Sequence, residues 1–277
     1  MFEPSFPARL HILLPKDSDT AVVIRRGPSK HTCILSWNTR TDEVRVTQWL
    51  KGRIYERRSD ISPDGKYWIY FAMNGHWSSE AKGSWTAIAR APWLKAVALM
   101  PKGDCWNGGG LFLDKRSYWL NVGYGHEDAL GTDEVKRVDP PKGLQYFGGE
   151  CLTVYYNRLM RDGWTRTGRT ENGRHDAITY FEKELPQGGT LRKICHEQVG
   201  APKGKGCYWD EHELVSKSGD QSSYPDWEWA ERVGDSIVYA KHGCLYSGAL
   251  KNSKSVGDEE LVHDFNGYTF EKLEAPY

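Results

Sequence analysis

The chain has 277 residues, of which 39% are apolar and 13% aromatic, with 12 Trp, 15 Tyr and 29 Gly. Lysines plus arginines number 37 and aspartates plus glutamates also number 37, so the net charge is zero, which argues against a general binder of nucleic acids or anionic membranes. Apolar runs all fall well short of the roughly 18 residues that a membrane helix needs. Abundant rings and glycines favour many short strands over long helices.

The start of the chain and its cysteines predict a cytoplasmic protein. The segment MFEPSFPARLHILLPKD lacks the basic start and long apolar stretch of a signal peptide. Six scattered cysteines without a CxxC pair are expected to be reduced thiols. They are Cys33, Cys105, Cys151, Cys195, Cys207 and Cys244. We expect no metal and no cofactor.

Short β-rich runs separated by polar turns dominate the first hundred residues. The first four runs are 10–14, 21–24, 32–37 and 44–49, and the next four are 59–62, 67–73, 85–90 and 96–99. Each set predicts a four-stranded antiparallel meander of the size of one propeller blade.

A turn signal then recurs before apolar runs. It comprises Asp64-Gly65-Lys66 before 67–71, Asp114-Lys115-Arg116 before 117–120, a degenerate Asp162-Gly163 before Trp164, and Gly234-Asp235 before 236–240. The steps from Ser18 to Asp64, Asp114 and Asp162 are 46, 50 and 48 positions, within the range of propeller blades. The longer step to residue 234 predicts an irregular insertion at 200–206.

These spacings predict an all-β fold: one β-propeller domain over 1–277 with five four-stranded antiparallel blades, six being the runner-up. The blades are placed at about 8–51, 57–103, 104–147, 148–200 and 207–277. Residues 94–99 and 150–159 are predicted as strands because β-branched and aromatic residues alternate there. Pairing of 8–14 with 268–273 is expected to close the ring, with 275–277 near the first strand. Two sandwich domains, joined by a linker at 139–143, are the alternative.

The stretch Asp60-Ile-Ser-Pro-Asp-Gly-Lys-Tyr-Trp-Ile-Tyr70 resembles the repeat of TolB-type, WD-repeat-like β-propellers, whose units carry S-P-D-G-x-x before an apolar strand. The stretch at 226–240 keeps the shape but replaces Ser-Pro-Asp-Gly by Glu231-Arg-Val-Gly-Asp235. The resemblance implies the architecture and no particular activity, because propellers include both binding modules and enzymes.

Catalytic motifs are lacking. The sequence has no G-x-S-x-G serine, and the glycine run at 106–110 lacks the Lys-Ser/Thr of a phosphate loop. If the protein is an enzyme, the candidate acids are Asp104, Asp226 and Glu228, with His212 as the base on the same strand face as Asp210. The same acids could equally cap turns in their own blades, as could Asp60.

The tryptophans are the candidate binding residues. They are Trp77, Trp85, Trp93, Trp106, Trp209 and Trp227. Core packing would use most of them, but rings on loops suit a protein partner or a sugar. We therefore expect a monomeric, non-enzymatic module that presents a propeller rim to a protein partner, with an antitoxin- or immunity-type inhibitor as the specific form. A propeller hydrolase or lyase acting on glycans, and a Trp-rich lectin, are the alternatives.

Overall fold

The structure, a computed structural model, describes residues 6–27, 30–186, 188–200, 204–251 and 255–277. Residues 1–5 of the N-terminal segment and residues 201–203 of the predicted insertion lie outside the described residues. The fold is all-β, with 47% of residues in strands and 5% in helices. Five sheets follow one another along the chain, and none of them closes on itself within the described residues. No described helix is long and apolar enough to cross a membrane.

The first sheet is the predicted antiparallel meander. Its strands, in spatial order, are β1 (Arg9–Leu13), β2 (Thr20–Arg26), β3 (Thr32–Asn38) and β4 (Val44–Leu50).

The second sheet also forms where the sequence predicts it. It contains β5 (Arg53–Ile54), β6 (Asp60–Ile61), β7 (Tyr67–Met73), β8 (Ser84–Arg90) and β9 (Ala96–Pro101), with a 3-10 helix at Glu56–Arg58. The short strands β5 and β6 both pair with β7.

The turn before β7 is built by its own side chains. The Ser62 hydroxyl donates to Asp64 Oδ1 at 2.8 Å and accepts from the Tyr67 amide at 3.0 Å, while the Gly65 amide donates to the Ser62 carbonyl. Gly65 has a φ of +70°, which glycine adopts without strain. The sequence therefore predicts this hairpin correctly, down to the conformation of its glycine.

Strand β7 is covered on both faces. Trp68 and Tyr70 pack against residues of the first sheet, whereas Tyr67 and Ile69 pack against residues of the third. This explains why its apolar run does not alternate with polar residues.

The third sheet contains β10 (Gly110–Phe112), β11 (Ser117–Leu120) and β12 (Lys136–Arg137), with β12 parallel to β11. After it, the predicted strand at 150–159 is wrong: the chain forms a helix, α1 (Leu152–Arg161). Buried Leu152, Tyr155, Tyr156 and Leu159 repeat with helical spacing, and this periodicity outweighs the strand propensity of the individual residues.

The predicted turn at Asp162-Gly163 is present, but it ends α1 and does not join two strands. The Gly163 amide donates to the Met160 carbonyl, the Trp164 amide donates to the Leu159 carbonyl, and Gly163 has a φ of +89°. A glycine in this conformation commonly ends a helix.

The last two sheets take up the remaining chain. The fourth contains β13 (Thr165–Gly173), β14 (Asp176–Glu184), β15 (Thr190–Gln198), β16 (Tyr208–Val215) and β17 (Gln221–Tyr224). The fifth contains β18 (Trp229–Val233), β19 (Ser236–Lys241), β20 (Cys244–Lys251), β21 (Ser255–Val256) and β22 (Glu260–Asp264). The fourth sheet extends to Tyr224, so β16 and β17 belong to it and not to the segment starting at 207.

The chain divides into two compact units. The first comprises 1–7, 11–158 and 268–277, and the second comprises 8–10 and 159–267. All six cysteines are free thiols.

The expected pairing of 8–14 with 268–273 is wrong, because 268–277 forms no strand. Instead, Gln48 Nε2 donates to the Leu273 carbonyl, the Tyr277 hydroxyl donates to the Lys95 carbonyl, and the Arg90 amide donates to the Tyr277 hydroxyl. The last residue therefore lies against the β8–β9 end of the second sheet.

Candidate functional site

Three segments of the first unit lie beside one another and form what we call the three-loop face: 74–83 between β7 and β8, 102–109 between β9 and β10, and 121–128, the first part of the connection between β11 and β12. The rest of that connection runs along β9 to the opposite end of the strands, where Glu134 binds Tyr67 and Arg90. Lys82 Nζ lies 2.6 Å from Glu127 Oε1, which joins the first loop to the third. A Cβ on Gly123 would lie 2.0 Å from the Asn107 side chain, so the second and third loops are in contact as well.

The glycine run after Trp106 allows these loops to approach the strands closely. Asn107 has a φ of 56° and Gly109 a φ of +70°. A Cβ on Gly109 would meet the Arg58 carbonyl oxygen at 1.8 Å, a distance that no side chain tolerates. The glycine run therefore has a structural role, because it lets neighbouring backbones approach closely.

Arg58 anchors the middle loop from below. Its Nη1 donates to the carbonyls of Cys105, at 2.7 Å, and of Asn107, and its guanidinium lies over the rings of Tyr55 and Phe71. The side chain is almost fully buried. The conformation of the loop is therefore imposed by the protein interior.

A buried lysine supports the same loop. The side chain of Lys102 has 0% exposure, and its Nζ lies 2.7 Å from Asp104 Oδ2 and 3.9 Å from the centre of the Tyr124 ring. Asp104 Oδ1 accepts from the Trp106 amide at 2.8 Å. Burial raises the pKa of Asp104, but the hydrogen bonds from Lys102 and the Trp106 amide outweigh it, so the pKa lies below its usual value. Asp104 thus holds its loop as a carboxylate.

His126 belongs to the third loop and turns towards the strands. Its Nε2 lies 3.3 Å from the Thr86 hydroxyl, which also accepts from the Gly109 amide at 2.9 Å. Its Nδ1 is buried and has no hydrogen-bond partner among the described residues. Burial and the Lys102 charge lower the pKa of His126 to about 4, so the ring is neutral near pH 7.

Three large rings project from these anchored loops into solvent. The exposed fractions are 55% for Trp77, 51% for Trp106 and 58% for Tyr124. Trp77 and Trp106 were expected from sequence as binding residues. Tyr124 was missed, although its position in the Gly-Tyr-Gly stretch at 123–125 is a turn signal that places a ring on a loop.

The other four predicted binding tryptophans lie elsewhere. Trp85 is buried in β8, and half-buried Trp93 accepts a hydrogen bond from Trp68 Nε1 through its carbonyl. In the second unit, Trp227 is buried between the rings of Tyr224 and Tyr239, each at 3.9 Å, and half-buried Trp209 stacks on His196. None of these four adds an exposed ring to the three-loop face.

The predicted catalytic residues divide between the two units. Asp104 belongs to the three-loop face, whereas Asp226, Glu228 and His212 belong to the second unit. Asp226 pairs with His242 at 3.5 Å, and Glu228 accepts from the Leu10 amide at 2.8 Å. Asp60, the further acid, accepts from the Phe112 amide at 2.7 Å.

His212 is fully buried on the same face of β16 as Asp210, as its alternation predicts. Its Nε2 lies 2.8 Å from Lys193 Nζ, and its Nδ1 lies 2.8 Å from the Trp227 carbonyl. Burial, reinforced by the Lys193 charge, lowers its pKa well below 6.5. The neutral ring accepts from Lys193 and donates to the carbonyl, which is the arrangement of a structural hydrogen-bond bridge.

Within the described ranges, no group of three or more His, Cys, Asp and Glu side chains could hold a metal ion. Comparison with known proteins found no matching family model, no matching curated protein and no matching solved structure.

Proposed function

We propose that the protein is a non-enzymatic binding module that docks a protein partner on the three-loop face. The observation that carries this proposal is the combination of three exposed rings, Trp77, Trp106 and Tyr124, with loops held from beneath by buried Arg58 and Lys102. Trp and Tyr are among the residues that contribute most to protein interfaces.

The energetics favour docking at this face. A large aromatic side chain buries about 150–250 Å² when it is covered, so the two tryptophans and the tyrosine offer a substantial apolar area. Because Arg58 and Asp104 already hold the loop that carries Trp106, this loop loses little conformational entropy when a partner binds.

The contacts of the predicted catalytic side chains favour binding over hydrolysis. Asp104 and Glu228 accept hydrogen bonds from backbone amides, and His212 is buried between Lys193 and a carbonyl. Only the contact of Asp104 is the cap of its own turn that the alternative interpretation of the acids expected, whereas Glu228 binds the amide of Leu10, which is distant in sequence. The contacts of all three side chains are structural.

At the level of architecture, we propose that the five consecutive sheets are the blades of a single propeller. Support comes from their order along the chain, from the antiparallel pairing that dominates them, and from β7, whose two faces pack on the first and third sheets. In this proposal the protein is a cytoplasmic monomer that acts as an inhibitor of the antitoxin or immunity type.

The proposal is tested by site-specific photocrosslinking in the native host. A benzophenone amino acid at position 106 should capture one protein, and the double substitution Trp77→Ala/Tyr124→Ala in the same chain should abolish capture. Tyr146→Ala is the matched control, since Tyr146 is 73% exposed in the first unit but outside the three loops. Capture that survives the double substitution would refute docking at this face, and a glycan-array signal lost in Trp106→Ala would favour the lectin instead.

A further inference from the structure

The charges of the three-loop face specify the chemistry of its partner. Its segments contain four acidic and two basic side chains. The acidic residues are Glu80, Asp104, Glu127 and Asp128, and the basic ones are Lys82 and Lys102. The face is therefore acidic as well as aromatic, in a chain whose overall charge is zero.

Both lysines are already paired within the face. Lys82 Nζ contacts Glu127 at 2.6 Å, and Lys102 Nζ contacts Asp104 at 2.7 Å in the interior. No cation of these loops is left to attract an acidic partner.

Two carboxylates of the face remain available to a partner. Glu80 and Asp128 are exposed, and neither forms an ion pair with any residue that the structure describes. Glu80 shares a loop with Trp77, and Asp128 shares a segment with Tyr124. Negative charge and exposed rings thus occur on the same short segments.

One ring of the face already binds a cation in the free protein. Lys102 Nζ lies 3.9 Å from the centre of the Tyr124 ring, the geometry in which an ammonium is attracted to the ring face. No described cation lies over Trp77 or Trp106, whose rings are more than half exposed. Tryptophan is the best aromatic partner for a cation.

We propose that the segment docking on the three-loop face is basic, and that it places a lysine or arginine side chain against the ring of Trp106. Glu80 and Asp128 on the same face supply the complementary charge. This inference rests on the proposed function, because it assigns the charge of the partner at the same face.

The test uses the full chain and three fluorescein-labelled peptides of equal length, in which alternate positions of a Gly-Ser sequence are lysine, glutamate or glutamine. Fluorescence polarisation at low salt should detect binding of the lysine peptide only, and salt should weaken it. Trp106→Ala should weaken that binding about two- to five-fold, the factor expected for one exposed cation–π contact. Asp128→Lys should weaken it at least as much.

The matched control is Asp235→Lys, which makes the same change in net charge on an exposed hairpin of the second unit. It should leave binding unchanged. Equal losses in Asp128→Lys and Asp235→Lys, no loss in Trp106→Ala, tighter binding of the glutamate peptide, or no binding of the lysine peptide would each overturn the proposal. A partner captured at position 106 that presents an acidic surface would overturn this inference and leave the proposed function standing.

Discussion

Replacing Arg58 by methionine tests whether the protein interior holds the middle loop of the face. Methionine keeps an unbranched apolar stem between Tyr55 and Phe71 but removes the donors to the carbonyls of Cys105 and Asn107. Each of these part-buried carbonyls would lose a hydrogen bond from a charged donor, which is worth about 1.5–3 kcal/mol. Removing a buried charge offsets part of this cost, so we expect the free energy of unfolding to fall by about 2–4 kcal/mol.

The assay combines urea unfolding, followed by tryptophan fluorescence, with amide hydrogen exchange across 103–109. Exchange in that segment should accelerate in Arg58→Met, because the loop has lost its anchor. Arg45→Met is the control: Arg45 is exposed and pairs only with Glu43, so its loss should change stability by less than about 1 kcal/mol. A loss below about 1 kcal/mol in Arg58→Met, with unchanged exchange at 103–109, would refute the anchoring argument.

Three further predictions concern pH, the C-terminal segment and the turn before β7. Below about pH 6.5 the histidines of the unfolded chain become protonated, whereas folded His126 stays neutral because its pKa is lowered to about 4. The free energy of unfolding, measured by urea titration at each pH, should therefore fall from pH 6.5 towards pH 4. It should fall less steeply in His126→Gln. An unchanged slope in that variant would count against a neutral, buried His126. Deleting 268–277 removes the hydrogen bonds to Gln48, Arg90 and Lys95 and should lower the melting temperature by about 3–8 °C. An unchanged melting temperature would show that these contacts do not stabilise the first unit. Gly65→Ala should cost about 1–2 kcal/mol because Gly65 has a φ of +70°, and a neutral result in urea unfolding would contradict that conformation.

Features set by local chemistry could be predicted from the sequence. Ser62, Asp64 and Gly65 build their hairpin from side chains within six positions of one another, so the motif alone predicts both the turn and the strand after it. The positions of β1 to β4, β6 to β9 and β11 follow from such turns and from apolar runs.

Features set by tertiary packing could not be predicted in the same way. In α1, Val154 and Tyr156 look like an alternating strand. All residues from 151 to 159 are buried, so contacts on every side stabilise the helix, and the sequence pattern alone does not reveal them. Lys102 resembles a surface lysine in the sequence, but Tyr124, 22 positions later, covers it. The approach of the three loops depends on strand register, which a single sequence does not encode locally.

Arg58 recognises carbonyl oxygens, and every amino acid has one. The anchor therefore places few demands on the identity of Cys105 and Trp106, while the left-handed conformation of Asn107 and Gly109 does restrict those two positions. The loop can accept new side chains at 105 and 106 without losing its shape. This separation of backbone support from surface chemistry makes positions 105 and 106 suitable for randomisation in a library selected for new binding activity.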